Sequence, residues 1–125
     1  MRVRQLAAIA LVFGLAGCTD AILDGIGGSG GDFSISVGAG TDPLYSWSAG
    51  PAFSLDVVRS ANQSVVVWRI TNPNTRNIAS PVRHGTVPGG TLESVGTERT
   101  LTRGIEYRIT ITLADGRSAF RDFRP

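Results

Sequence analysis

At 125 residues the chain has room for one domain, and its twelve basic residues, all Arg, stand against ten Asp plus Glu. Two of the twelve, Arg2 and Arg4, precede an apolar run at the start, so the rest of the chain carries ten charges of each sign and is formally neutral. Such a surface lacks the basic field that nucleic acid binding needs and gains nothing from anionic lipids, while one Cys and one His leave no His/Cys metal site.

Arg2 and Arg4 form a charged beginning, and residues 6–16 follow as eleven apolar positions, the plan of a secretory leader. As a helix this run would reach about 16 Å, short of the roughly 30 Å of a bilayer core, so it does not read as a span. The run ends in Leu15-Ala16-Gly17-Cys18, which resembles the lipobox of bacterial lipoproteins. That resemblance implies removal of residues 1–17 as a signal peptide and attachment of diacylglycerol to Cys18, with palmitate-type acyl chains holding the chain to a membrane. Two chains of about 30 methylenes together, at about 0.8 kcal/mol each, would anchor it almost permanently. Cys18 is also the sole cysteine, and a thioether there removes an unpaired thiol from an oxidising compartment. Thr19 at the next position, by resemblance to the enterobacterial sorting rule, favours the outer membrane over the inner one.

Residues 18–32 are rich in Gly and Ser and keep no period, and are expected to tether the domain to the lipidated cysteine. Within them, residues 27–31 read GGSGG but lack the Lys-Ser/Thr of a phosphate-binding loop. From residue 33 to 125 the pattern becomes short alternating runs between Gly, Pro, Asn and Asp, the signature of an all-β antiparallel sandwich of about seven to eight strands. Strands are predicted at 33–38, 44–48, 52–59 (Phe53, Leu55 and Val57 alternating), 64–71, 78–83, 97–102, 105–113 and 118–124. Asp115-Gly116 predicts a hairpin with a two-residue loop between the last two, and Thr71 to Thr75 predicts a turn around Pro73. The stretch 77–98 is longer and richer in Gly and Pro than a crossover needs, and leaves the strand order open there.

Pro43-Leu44-Tyr45-Ser46-Trp47, Phe53 to Val57, and Leu101-Thr-Arg-Gly104-Ile-Glu-Tyr107 resemble the fibronectin type III-like (immunoglobulin-like) domains of exported bacterial proteins. The resemblance covers roughly residues 33–125. It implies that Trp47 lies in the core between the sheets and that Tyr107 makes a tyrosine corner, bonding to backbone near Leu101 to Gly104.

No grouping of reactive side chains appears. His84, the only histidine, reads as a loop residue beside Arg83; no Gly-x-Ser-x-Gly elbow exists, and the acidic residues stand singly, so neither catalysis nor a calcium site nor any cofactor is expected. Glu106, Arg108 and Asp122 are expected on an outer face, pairing across strands. In Val65-Val66-Val67-Trp68-Arg69-Ile70, placing Val66, Trp68 and Ile70 inward leaves Val65 and Val67 outward, an apolar patch on an edge strand open to pairing with a partner. The expectation is therefore a membrane-anchored, non-catalytic binding or assembly module for an envelope protein or glycan. The alternatives are a structural spacer or coat lipoprotein without a specific partner and, third, a small hydrolase or ligand carrier with a pocket at Trp47, Trp68 or His84.

Overall fold

The computed structural model describes residues 28–95 and 99–125. These form an all-β antiparallel sandwich with no helix, and among the described residues there are nine strands. They are β1 (Ser29–Gly31), β2 (Ile35–Val37), β3 (Leu44–Trp47), β4 (Ala52–Arg59), β5 (Val66–Thr71), β6 (Val82–Arg83), β7 (Leu92–Val95), β8 (Tyr107–Leu113) and β9 (Ser118–Phe123). One sheet has the order β1-β9-β8-β4-β5-β7, the other β2-β3-β6.

Period-2 alternation produces the core. Along β8 every second residue, Tyr107, Ile109, Ile111 and Leu113, is buried. These side chains join Leu55, Val57, Trp68 and Ile70 of the same sheet and Ile35, Tyr45, Trp47 and Val82 of the other in one cluster. Trp68, Tyr45 and Tyr107 are the largest fully buried side chains. Tyr45 touches aromatic neighbours on the opposite sheet, with ring centroids 6.3 Å from Trp68 and 5.8 Å from Phe123. The Tyr107 hydroxyl accepts from Thr102 N–H at 2.9 Å, the corner bond expected between residues 101 and 104.

Two bulges alter the expected alternation. Val57 pairs with Trp68 but Val58 pairs with Val66, so Val67 is an extra residue and is buried beside Trp68. At the other end of β4, Ala52 pairs with Leu113 and Ser54 with Thr112, which makes Phe53 the extra residue. Phe53 is only half-buried, its ring covered by the Arg76 guanidinium 5.1 Å away.

The hairpin after β8 also differs from expectation. Leu113 N–H donates to the Arg117 carbonyl and the Leu113 carbonyl accepts from Gly116 N–H, closing a three-residue loop of Ala114, Asp115 and Gly116. Gly116 alone takes a positive φ (95°), whereas a two-residue Asp-Gly turn needs it at both positions. The turn at residues 72–76 forms as predicted, with Asn72 Oδ1 accepting from Thr75 N–H at 3.1 Å.

Three elements depart further from the sequence reading. β1 lies in the segment read as tether: its glycines are required because the strand packs tightly on β9. The predicted strand 78–83 divides between the sheets, with Ile78 bridging Ala52 of β4 and Val82 pairing with Tyr45 of β3. Of the strand expected at 97–102, residues 97 and 98 lie outside the described residues and residues 99–102 form no strand; β7, earlier in the chain, covers the edge of β5.

Candidate functional site

Cys18, the expected lipid attachment site, lies outside the described residues. Val65 and Val67 do not form the expected patch. Val67 is fully buried by its bulge, Val65 is half-buried, and β5 runs between β4 and β7 rather than along an edge. Among the described residues the edge strand on this side is β7, and the large apolar residues exposed there, Leu92 at 63% and Val87 at 45%, lie in β7 and the loop before it.

The expected cross-strand pairing of Arg108 with Asp122 is present, Arg108 Nε donating at 2.7 Å; a second pair, not read from the sequence, has Arg69 Nε donating to Asp56 at 2.6 Å. The Arg108 guanidinium also lies 4.0 Å over the Phe120 ring. Asp122 further accepts from Gly28 N–H, which fastens the start of the described chain to β9.

His84, read from sequence as an ordinary loop residue, is instead buried against Trp68, the ring centroids 4.8 Å apart. Its backbone N–H bonds to Pro43 of the β2–β3 connection, which draws the ring in under β3. Nε2 lies 2.8 Å from the Arg99 carbonyl oxygen, which can only accept, so Nε2 carries the proton. Nδ1 is thereby the acceptor, and the Tyr45 hydroxyl donates to it at 2.9 Å. Burial pushes the imidazole pKa down, and burial holds the Tyr45 phenol well above its ordinary value. Both side chains are neutral near pH 7.

A second pair of bonds continues this cluster outward. Trp68 Nε1 donates to Glu93 Oε2 at 2.7 Å, and Arg99 meets the same oxygen at 3.0 Å. Arg99 also donates to the Gly85 carbonyl. The cluster therefore ties β3, β5, β7 and the returning chain at Arg99 into one network. It has no nucleophile beside the imidazole, and no group of three His, Cys, Asp or Glu suited to a metal occurs among the described residues. Its bonds are those of a structural joint.

A cleft of about 330 Å³ opens beside Trp47, lined by Ser48, Gly50, Pro51, Asn77, Ala79 and Ser80. It exposes little of the indole: Trp47 is 6% exposed and its Nε1 donates to the Gly50 carbonyl at 2.7 Å. The Ser80 hydroxyl is engaged by Trp47 N–H. Trp68 and His84, the other residues expected to line a pocket, are packed into the core.

No family model, no curated protein and no solved structure matches the chain.

Proposed function

We propose that the chain is an exported lipoprotein, anchored through Cys18, whose sandwich serves as a non-catalytic binding or assembly module in the cell envelope. The observation that carries this reading is the ordered leader: charge, eleven apolar residues and Leu15-Ala16-Gly17-Cys18. The fold supports a module of this kind. Polar groups at the core joint are spent on internal bonds, Tyr45 to His84 and Trp68 to Glu93. The corner bond of Tyr107 and the buried Trp47 support the finer likeness to fibronectin type III-like domains.

Because β1 belongs to the sheet, only residues 19–27 separate Cys18 from the described domain, and fully extended they span at most about 30 Å. The domain would therefore work close to the membrane surface, on an envelope protein or glycan within that distance. The exposed edge at β7, with Leu92 and Val87, is the surface suited to strand addition.

Mass spectrometry of the native N-terminus, with membrane fractionation, tests the anchor. A diacylated Cys18 as first residue in the membrane fraction is expected. An unmodified Cys18 within a longer chain would overturn the reading.

A further inference from the structure

We infer that β7 and the loop before it, residues 85–95, form an acid-released flap over the edge of β5, latched by His84. The inference does not depend on the anchor or on any partner, since it concerns only the internal joint.

The flap is held by little besides the joint. None of the residues 85–94 is buried, so detaching the segment exposes little apolar surface. Among the described residues its attachments beyond the turn at its root, where Thr86 bonds to the Arg83 carbonyl, are the four-residue pairing of Leu92–Val95 with β5, the Glu93 contacts to Trp68 and Arg99, and the Arg99 bond to Gly85. His84 sits where the segment leaves the core and Arg99 where the chain returns, and the Nε2–H bond to the Arg99 carbonyl joins the two points. With the flap lifted, the outer backbone edge of Trp68 to Thr71 is uncovered, since that edge is what β7 pairs with.

The chemistry makes the latch sensitive to acid. A second proton can enter the ring only at Nδ1, which already accepts from Tyr45. That proton would reverse the bond and leave the phenolic hydrogen of a fully buried tyrosine without its acceptor. The groups around the ring do not cancel this cost. Tyr45 faces it from β3 and is neutral, and the Trp68 ring faces it from β5. Arg99 repels the imidazolium, while Asp42 and Glu93 attract it, Glu93 being already engaged by Trp68 and Arg99. The neighbouring Arg83 guanidinium is turned to the Asp42 carbonyl at 2.9 Å. Opening the flap hydrates the ring and admits the proton, so proton uptake favours the open form.

The test is hydrogen exchange on the full chain from pH 7.5 to 5, expressed as protection factors so that the intrinsic pH dependence of exchange is removed. Below about pH 6.5 the amides of β7 and of β5 facing it should lose up to about tenfold in protection per pH unit, the slope of one proton, while β4 and β8 hold theirs. His84→Gln should flatten that dependence. Tyr45→Phe, which deletes the hydroxyl and keeps the ring, removes the stranded donor and should make the loss smaller and end it at higher pH, with the onset unchanged. The same slope in His84→Gln, or equal loss across β4 and β8, would overturn the proposal. Should His84→Gln fail to fold, ring ¹⁵N shifts of the native chain decide it: an imidazole that protonates with no change in β7 protection rules the latch out.

Discussion

The Phe120 ring lies over Gly30 on the neighbouring strand, so close that a β-carbon at Gly30 would sit 2.9 Å from the ring edge. The contact explains why β1 is built from glycine: a side chain on this face would displace the ring, which also carries the Arg108 guanidinium. Next to it, Gly31 has φ of 110° and its β-carbon would fall 2.5 Å from the Ser118 carbonyl oxygen.

Gly31→Ala is therefore expected to destabilise the domain by about 2 kcal/mol or more, since it combines backbone strain with a clash against backbone. Gly30→Ala should cost less, because the obstacle is a rotatable ring. Gly40 separates the two effects: an added methyl there would meet no heavy atom within 4 Å, but φ is 90°, so its Ala variant reports strain alone. Denaturant unfolding of the three variants checks the ranking. Negligible losses at Gly30 and Gly31 beside a clear loss at Gly40 would mean that β1 does not pack on β9 in solution.

Tyr107→Phe removes the bond to Thr102 N–H and nothing of the ring packing. A loss of about 1 kcal/mol is expected, lowering Tm by about 4–8 °C for a domain of this size. Calorimetry measures it, and an unchanged Tm would show that water replaces the hydroxyl.

Stability should fall in acid in two stages. The folded pKa of His84 lies below its ordinary 6.5, so the unfolded chain binds the proton more readily. The contribution of the neutral ring is fully present above about 6.5 and is lost as pH falls from there through the folded pKa. Asp122 follows at lower pH. Burial alone would raise its pKa, but the Arg108 bond and the Gly28 N–H outweigh it and hold the carboxyl below 3.8. Its share is present above about 3.8 and is lost as pH falls through the depressed value. Chemical denaturation across pH resolves the two stages, and His84→Gln should delete the upper one.

Val67→Lys should unfold the domain, costing more than about 4 kcal/mol, because it places a charge in the core beside Trp68. Leu92→Lys, at a residue 63% exposed, should leave Tm within a few degrees. If an envelope partner adds a strand at β7, Leu92→Lys should weaken its capture in a pull-down with folding intact. Unchanged capture would remove this edge from consideration.

What could be read from sequence followed from local pattern. The strict alternation of Tyr107 to Leu113 and the Asp-Gly turn after it define β8 and β9, and Leu-x-x-Gly-x-x-Tyr places the corner bond. The bulge at Val67 was hidden because one inserted residue shifts the phase of the alternation, here between Val66 before it and Trp68 and Ile70 after it, and no composition marks the insertion. β1 was hidden for the opposite reason. Glycine has the weakest strand preference, and only the ring of Phe120, ninety residues on from Gly30, explains its presence in a sheet. The joint at His84 could not be read at all: Tyr45 is 39 residues before it and Arg99 is 15 after it.

The antiparallel pairing of β1 with β9 has a mechanical consequence. If the domain is tethered at Cys18 and gripped at its opposite end, tension enters at Gly28 and runs along β1, perpendicular to the inter-strand hydrogen bonds that hold it. Those bonds are then sheared together rather than peeled one after another, and the glycine-lined strand acts as a strain-bearing root for the sandwich.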